Sequence, residues 1–361
     1  GPGATAERLD SVGRWDFSHV EPRLIERYGE DFFYASRSEY LTRYPLPDEQ
    51  YGRVVPVPKN RTKPRLISIE PSAHQYAQQA LMTRLYNELS TYPVTNIRDQ
   101  SRNGGLAKEG SRDGSLATLD LSEASDRLSL RLLKHTLANH KWFADELEDL
   151  RTRGVMVPGY GLVPLNKYAS MGSALTFPVQ VMVFTSIAVL GLVDSGVIAL
   201  SDVGPKTLRR ADLGVYGDDI IVPTDSALIV IERLERCGLV VNRSKSFFSG
   251  LFRESCGSDY YAGTDVKPVY CRRNRPLSRR HVSEIIAYAS LAWSFKDRGF
   301  LSTANFLSSV VSSIVGDCRG DEPLTLDSLE RFGEEWHQIG KGAISVPYGD
   351  YPRMRFNPRL Q

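Results

Sequence analysis

The sequence has few cysteines, and they follow none of the patterns that cross-link a small secreted domain or bind zinc. Its four cysteines, Cys237, Cys256, Cys271 and Cys318, are widely separated in a chain of 361 residues and form no CxxC pair. This spacing excludes a disulfide framework and the zinc-ribbon and zinc-finger classes. It predicts free thiols in a reducing cytoplasm.

The sequence also has little that would place it in or on a membrane. Its most apolar segment, residues 181–193, contains Thr185 and Ser186 and ends at Asp194. It is shorter than the roughly 20 residues that cross a bilayer, so we predict a buried helix. We find no signal peptide, lipidation motif, internal repeat or low-complexity tract, and we therefore expect no membrane partner.

The sequence also lacks a large excess of charge of either sign, since 45 basic and 43 acidic residues leave a net charge of +2. Binding to nucleic acid through overall positive charge is excluded, so any such contact must come from local basic clusters. The length allows a large core or two to three subdomains. Because the chain opens with GPGATAERLD and no methionine, we expect a processed, tagged or partial chain whose N-terminal part is incomplete.

What the sequence does have is an acidic turn, Tyr216-Gly217-Asp218-Asp219, between the apolar segments LGV and IIVP. This pattern predicts strand, tight turn and strand over residues 213–223, with Gly217 supplying backbone freedom. Two adjacent carboxylates repel each other, and a divalent cation such as Mg²⁺ would compensate them. A lone Gly-Asp-Asp is more typical of a solvated hairpin tip than of a metal site, so the metal hypothesis needs a second carboxylate from another element.

Asp120 is that second carboxylate, because it ends the short apolar stretch SLATLD, which predicts a strand. A helical pattern follows, and Asp126 lies near its start. Asp120 with Asp218 and Asp219 fits a site for two ions about 3.5–4 Å apart. Taken singly, Asp120 could be a strand-end cap and Asp126 a first-turn charge favoured by the helix dipole.

Two further segments support the same site. Residues 167–184, KYASMGSALTFPVQVMVF, run from a small-residue loop into an apolar helix, and such a loop can approach a sugar or phosphate closely. An ordinary N-capped core helix is the alternative. Residues 53–71, RVVPVPKNRTKPRLISIEP, form a basic, extended segment suited to a triphosphate or a nucleic-acid backbone, or else a solvated basic loop. Residues 271–281 carry five arginines, which predicts a second RNA contact.

The order of these motifs resembles that of right-hand polymerases. In detail, the chain resembles the replicase catalytic subunit of single-stranded RNA bacteriophages, of the levivirus or Q-beta type. The resemblance rests on VPKNRTKPRLISIEP, ATLDLSEASDRLSL, SMGSALTF, VYGDDIIVP and the FRESCG-containing stretch of residues 242–270. It spans about residues 53–270 and implies an RNA-dependent RNA polymerase that replicates a positive-strand RNA phage genome from NTPs.

The resemblance also implies roles for individual residues. Asp120, Asp218 and Asp219 would be catalytic and bind two Mg²⁺ ions, for which Mn²⁺ can substitute, and Lys245 would be a general acid near the leaving pyrophosphate. The nucleotide-binding residues would be Lys59, Arg65, Asp126, Ser170, Gly172 and Thr176. The RNA-binding residues would be Arg253, Glu254, Ser255, Arg272 and Arg273. Many viral polymerases also have an asparagine in the second motif, and here none follows Gly172, so sugar selection would rely on Asp126 and the hydroxyls.

The implied fold class is α+β, a right-hand polymerase of fingers, palm and thumb. The palm would be an antiparallel, ferredoxin-like sheet backed by helices. We place the fingers at residues 1–115, with helices over 23–40 and 73–89. The palm would cover 116–265, with a fingers insertion near 140–165, and a mainly helical thumb would cover 266–361.

The implied partners are template and product RNA, NTPs, host elongation factors Tu and Ts, and a small-subunit ribosomal protein. The implied location is the cytoplasm of an infected bacterium. A mitovirus- or narnavirus-like lineage would have the same chemistry.

Two other function classes stay open at this point. A reverse transcriptase also uses a Tyr-x-Asp-Asp hairpin, but it excludes ribonucleotides with a bulky aromatic near the first Asp, and residues 121–126 contain no aromatic. The second class is a non-catalytic RNA-binding protein with a relic palm, against which the three intact carboxylates argue.

Overall fold

The computed structural model describes residues 4–10, 13, 17, 20–34, 49–58, 64–208 and 211–316. The chain divides into two compact units, Gly1–Lys267 and Pro268–Gln361. The described helices are α1 (Pro22–Tyr28), α2 (Ser72–Leu89), α3 (Ser101–Asp113), α4 (Ala124–Arg127), α5 (Leu130–Thr136), α6 (Lys141–Asp149), α7 (Thr176–Asp194), α8 (Pro205–Leu208), α9 (Ala227–Arg236), α10 (Val282–Asp297) and α11 (Leu301–Val315). Short 3₁₀ turns occupy Glu30–Phe32, Pro93–Thr95, Leu200–Asp202 and Thr224–Ser226.

The described strands form three sheets, which together with the helices confirm an α+β fold. The strands are β1 (Gly52–Pro58), β2 (Pro64–Ile69), β3 (Leu116–Asp120), β4 (Gly154–Val157), β5 (Gly161–Pro164), β6 (Gly214–Tyr216), β7 (Asp219–Pro223), β8 (Phe252–Ser255), β9 (Ser258–Tyr261) and β10 (Thr264–Asp265). The sheet orders are β2-β1-β4-β5, β3-β7-β6 and β10-β9-β8.

The β3-β7-β6 sheet is antiparallel throughout and lies at the centre of the first unit. Residues 116–119 of β3 and 220–222 of β7 are all buried, which explains why both strands are continuous apolar runs rather than alternating ones. On the other edge of β3, Thr118 and Leu121 make isolated bridges to Phe247 and Val241. These bridges stand where the predicted ferredoxin-like sheet would have a fourth regular strand.

The β2-β1-β4-β5 sheet joins two distant parts of the chain. β1 pairs antiparallel with β2, whereas β4 lies parallel to β1, with Arg53 opposite Met156. β5 then pairs antiparallel with β4. Residues 154–164 therefore share a sheet with residues 52–69.

Helix α7 is the most apolar helix of the first unit. It is long and apolar enough to cross a membrane, but 72% of its most apolar 18-residue window is buried inside the protein. Val179 and Val183 on one side of the helix and Val181 on the other are all fully buried. The prediction of a buried helix is confirmed, and the helix begins earlier than residue 181.

The helix predictions for the N-terminal region had mixed outcomes. The helix predicted over residues 73–89 is confirmed as α2. The helix predicted over residues 23–40 was wrong in extent, because α1 ends at Tyr28 and Gly29 follows with φ +83° and ψ 161°, a conformation open to glycine that interrupts the helix. Residues 35–40 lie outside the described part of the chain. The described cysteines, Cys237, Cys256 and Cys271, are free thiols as predicted.

The described part of the second unit consists mainly of α10 and α11. The two helices pack through small and branched residues, with Ala289 against Val311 in one cluster. Leu291, Ala292 and Leu307 form another.

Candidate active site

The acidic turn is the tip of a tight hairpin formed by β6 and β7. Gly217 has φ +66°, and a Cβ there would lie 2.7 Å from the ring of Phe177. The same ring packs edge-to-face on Tyr216 at a centroid distance of 5.0 Å. The predicted strand-turn-strand is therefore confirmed, and the first turn of α7 holds it in place.

Asp120 and Asp219 face each other across two neighbouring antiparallel strands. They are directly paired in the register of β3 and β7, and Asp218 lies in the adjoining turn. Directly paired residues have Cβ atoms about 4.5–5.5 Å apart, so both carboxylates lie at one end of the sheet. The tertiary structure thus brings together the three aspartates that the sequence singled out.

Two loops orient these carboxylates through hydrogen bonds. The Asn242 side-chain amide donates to Oδ2 of Asp120 at 3.0 Å. The backbone N–H of Cys256, in the turn between β8 and β9, donates to Oδ2 of Asp219 at 3.0 Å. Cys256 itself has φ +52°, an uncommon conformation for a non-glycine residue. Segments far apart in the chain therefore converge on the acidic pair.

The carboxylates interact strongly with one another. Burial, together with the negative charges of Asp218 and Asp120, raises the pKa of Asp219 to about 6, against the hydrogen bonding with Cys256. Burial, followed by the charge of Asp219, raises the pKa of the Cys256 thiol to about 12. The thiol is therefore neutral near pH 7, and the site has an excess of negative charge.

These residues fit a hard divalent cation. The carboxylate oxygens are suitable ligands for Mg²⁺ or Mn²⁺, and either ion would relieve the mutual repulsion of the carboxylates. Within the described ranges, the side chains form no ready-made group of three or more His, Cys, Asp or Glu ligands. Mg²⁺ is typically bound by one or two carboxylates plus substrate phosphates. The few carboxylates at this turn are therefore enough when phosphates complete the coordination.

A family model described as "RNA replicase, beta-chain" matches residues 45–280. The chain belongs to this family. It is 38% identical over 222 residues to the RNA-directed RNA polymerase subunit beta of Enterobacteria phage SP, covering 62% of this chain and 36% of that protein. It is 34% identical over 271 residues to the subunit beta of Escherichia virus Qbeta, covering 75% and 44%. It is 35% identical over 300 residues to the beta chain of Enterobacteria phage GA, covering 81% and 53%.

The chain thus spans about a third to a half of the length of the curated replicase relatives it matches. Its fold is similar to a solved in situ structure of the BmCPV RNA-dependent RNA polymerase at elongation state. That likeness has a TM-score of 0.50 at 11% identity and covers 86% of this chain and 30% of the other. The predicted right-hand polymerase fold is confirmed.

In this replicase-family chain, the loop predicted to line the nucleotide is turned inward. The Thr176 hydroxyl donates to the Ser170 carbonyl at 2.7 Å, and both side chains are largely buried. The Ser173 hydroxyl donates to Oε1 of buried Gln78 at 3.1 Å. The Thr176 hydroxyl therefore closes the loop on the Ser170 backbone, and the nucleotide-binding roles of Ser170 and Thr176 stay predictions. Gly172 is exposed, and its role stays a prediction.

Asp126 lies in the short helix α4, as predicted near a helix start. Its Oδ1 forms an ion pair with Nζ of Lys167 at 2.5 Å, and the Asp126 side chain is half-exposed. Lys167 was not among the predicted site residues, although it is the first residue of the small-residue segment 167–184. Asn242 and Gln78 were also missed, because no local pattern marks a polar side chain that meets a distant partner.

Lys245 lies exposed in the segment that pairs with the end of β3. Its backbone N–H donates to the Asn242 carbonyl at 3.0 Å, while the Asn242 backbone N–H donates to the Asp120 carbonyl at 2.8 Å. Burial raises the pKa of Glu254, and the positive charge of Lys245 opposes that rise. The general-acid role of Lys245 and the RNA contact of Glu254 stay predictions.

Arg253 and Ser255, which were predicted to bind RNA, are both buried in this fold. Arg253 has no exposed surface, and its guanidinium donates to the carbonyls of Leu116, Gly250 and Phe252. Ser255 is 1% exposed and accepts a hydrogen bond from the Asn103 side chain. Arg253 connects the β8-β9 hairpin to β3, and Ser255 connects it to α3. Neither side chain therefore presents a surface to RNA.

Replacing Arg253 with methionine is expected to destabilise the protein without weakening RNA binding by the folded protein. The change leaves several buried carbonyls unpaired, which costs about 2–4 kcal/mol. Urea unfolding and an RNA filter-binding assay check this. Arg272→Met is the matched control, since Arg272 is exposed: we expect weaker RNA binding at unchanged stability. A loss of RNA affinity in folded Arg253→Met would restore the RNA-binding assignment.

The remaining residues that were predicted to contact the nucleotide or RNA are basic. Arg65 is exposed on β2, opposite Val57 of β1. Lys59, Arg61 and Lys63 lie outside the described residues. Arg272 and Arg273 are exposed at the start of the second unit.

Proposed function

We propose that this chain carries the catalytic centre of an RNA-directed RNA polymerase, which extends an RNA 3′ end on an RNA template by two-metal nucleotidyl transfer from NTPs. The observation that carries the proposal is the pairing of Asp120 with Asp219 across β3 and β7, with Asp218 in the adjoining turn. The names of the replicase relatives support the same activity. A genome of a positive-strand RNA phage is the proposed template.

The three aspartates would hold two Mg²⁺ ions, or Mn²⁺ in their place. When bound, the metal supplies charge neutralisation at the phosphates and lowers the pKa of the attacking 3′-hydroxyl. The hydrogen bonds from Asn242 and Cys256 fix the carboxylates of Asp120 and Asp219 before substrate arrives, so less reorganisation is needed in the transition state.

Other residues would position the nucleotide and the leaving group. Arg65 and Lys59 would contact the triphosphate, and Asp126 would accept a hydrogen bond from the ribose. Lys245, exposed beside the Asn242 segment, would protonate the leaving pyrophosphate. Catalysis in this scheme is mostly positioning and electrostatics.

The proposed subdomains are fingers over residues 1–115, palm over 116–265 and thumb over 266–361. The parallel pairing of β4 with β1 supports assigning residues near 140–165 to the fingers. The relatives are named as subunits or chains of a polymerase, which supports association with other proteins. The proposed partners are elongation factors Tu and Ts and a small-subunit ribosomal protein in the cytoplasm of the infected bacterium.

The test is RNA synthesis by the full chain on a primed RNA template. Reactions contain four NTPs with Mg²⁺, Mn²⁺ or EDTA, each with and without added elongation factors Tu and Ts. We expect template-dependent product that needs the metal. Product from dNTPs in preference to NTPs would identify a reverse transcriptase instead. A folded chain that binds RNA but makes no product with all partners present would favour the hypothesis of a non-catalytic RNA-binding protein.

A further inference from the structure

Gln78 is a fully buried polar side chain whose hydrogen-bonding positions are all filled. It lies in the first half of α2 and has no exposed surface. Its amide nitrogen donates to Oε2 of Glu70 at 3.1 Å and to the Leu150 carbonyl at 2.8 Å. Its amide oxygen accepts from the Ser173 hydroxyl at 3.1 Å and from the Ala174 backbone N–H at 3.2 Å. A glutamine amide has two donors and two acceptor positions, so no capacity is left unused.

Backbone groups on both sides of Gln78 fix which end of its amide faces the loop. The Leu150 carbonyl can only accept a hydrogen bond, and the Ala174 N–H can only donate one. An amide turned by 180° would therefore place a donor against a donor and an acceptor against an acceptor. Ionised glutamate has no donor for the carbonyl, and methionine has no donor and only a weak acceptor. Glutamine is thus the side chain of this length that satisfies both sides.

The two bonds to the Gln78 oxygen hold the loop of residues 170–176, which leads into α7. This is the loop that we predict to approach the nucleotide, and Gly172 within it is exposed. Phe177, the next residue along the chain, packs edge-to-face on Tyr216 of the acidic turn, with ring centroids 5.0 Å apart. The described contacts therefore connect Gln78, through the loop, to the acidic turn.

The loop is also attached to β2, on the other side of Gly172. The Ser68 N–H donates to the Met171 carbonyl at 2.7 Å. The loop is thus held by a strand before Gly172 and by a helix after it. The contact from α2 is made by the Gln78 side chain, so a substitution can remove it and leave the loop's own sequence intact.

We propose that Gln78 is a positioning residue for the incoming nucleotide, because it sets the position of the loop of residues 170–176 and thereby the affinity for the NTP. The inference rests on the proposed polymerase function and deepens it. Gln78 has no exposed surface, so it acts through the loop rather than by touching the nucleotide.

The test is single-nucleotide incorporation by the full chain, with its partners, on a primed RNA template, with kcat and KM for ATP measured separately. Gln78→Met keeps the length of the side chain and removes its hydrogen bonds to the loop. We expect KM for ATP to rise about tenfold and kcat to stay within about threefold, because the loop contributes to binding the nucleotide. RNA affinity in a filter-binding assay should not change.

Leu85→Ala is the control for a general loss of stability. Leu85 is buried in α2, two turns after Gln78. Its truncation leaves a cavity and destabilises the fold, but removes no hydrogen bond from the loop. We expect a lower urea midpoint than in the wild type and an unchanged KM for ATP.

Ser173→Ala tests the loop side of the same contact. It removes one of the two hydrogen bonds to the Gln78 oxygen and should raise KM for ATP about threefold. Added to Gln78→Met, it should have no further effect, because the shared contact is already lost. If Gln78→Met does not fold, Ser173→Ala takes its place as the deciding variant.

The possible outcomes are distinct. An unchanged KM for ATP in the folded deciding variant, or an equal rise in Leu85→Ala, would overturn the inference and leave the polymerase proposal standing. A fall in kcat at unchanged KM would also overturn it, because the loop would then not set the affinity for the NTP. Absence of metal-dependent incorporation by the wild-type chain with its partners would overturn the proposed function, and this inference with it.

Discussion

Replacing Asp219 with asparagine should abolish RNA synthesis and at the same time raise the thermal stability of the metal-free protein. Burial, with repulsion by Asp218 and Asp120, raises the pKa of this carboxylate to about 6, although the hydrogen bond from the Cys256 N–H lowers it. An amide keeps the size of the side chain, removes the charge and cannot replace a carboxylate as a metal ligand. We expect synthesis to fall on the order of a thousandfold or more.

The stability gain follows from linkage between protonation and folding. A carboxyl whose pKa is higher in the folded protein than in the unfolded chain stabilises the fold only while it is protonated. That contribution is complete below the unfolded value of 3.8 and is lost as the pH rises through about 6. At pH 7.5 in EDTA, Asp219→Asn should therefore be more stable than the wild type, by about 1–3 kcal/mol.

Thermal melts with and without Mg²⁺ provide the check. Mg²⁺ at ten times its dissociation constant should stabilise the wild type by about 1.4 kcal/mol and should not stabilise Asp219→Asn.

Asp218→Asn tests the neighbouring ligand in the same assays and should also lose synthesis with folding retained. Asp225→Asn, in the 3₁₀ turn after β7, is the control and should change neither property. An Asp219→Asn protein that still makes RNA at the wild-type rate would refute the catalytic assignment.

Replacing Gly172 with alanine should have the largest effect on folding. Gly172 has φ +119°, and a Cβ built there lies 1.9 Å from the Ser68 carbonyl oxygen. The obstacle is backbone rather than a flexible side chain, and the Ser68 N–H also donates to the Met171 carbonyl at 2.7 Å. The methyl group must therefore separate the loop from β2, at a cost of at least about 3 kcal/mol.

Urea unfolding and RNA synthesis measure the two consequences. We expect a lower unfolding midpoint and, in the fraction that folds, a strong loss of synthesis, because the loop precedes the α7 turn that packs on the acidic hairpin. Gly105→Ala is the matched control: nothing lies within 4 Å of its Cβ position in α3, so alanine should be neutral or stabilise the helix by about 1 kcal/mol. Wild-type stability in Gly172→Ala would mean that the loop is not held against β2.

Local patterns predicted the elements that carry the chemistry. The acidic turn with Gly217 predicted the hairpin, the apolar stretch ending at Asp120 predicted β3, and the apolar run after residue 181 predicted a buried helix. Each of these depends on periodicity or turn chemistry within a few residues, which the chain carries without reference to distant parts. The order of the motifs was enough to indicate the family and the right-hand polymerase fold.

The roles of polar side chains could not be predicted in the same way, because they depend on partners far along the chain. The family resemblance implied that Arg253 contacts RNA, but its guanidinium donates to the Leu116 carbonyl 137 residues away. Thr176 looked like part of a nucleotide loop, but its hydroxyl closes the loop on Ser170. Neither contact leaves a periodic signal in the sequence.

Local sequence patterns were therefore enough to single out the residues that can perform the chemistry: one aspartate at the end of a predicted strand and two in a predicted acidic turn, in the order of a polymerase. Three features required the folded chain: Asp120 and Asp219 lie side by side, burial and mutual repulsion raise the pKa of Asp219, and Lys167 pairs with Asp126. The physical reason is that strand formation is governed by neighbours in sequence, whereas charge, burial and hydrogen bonding are governed by neighbours in space.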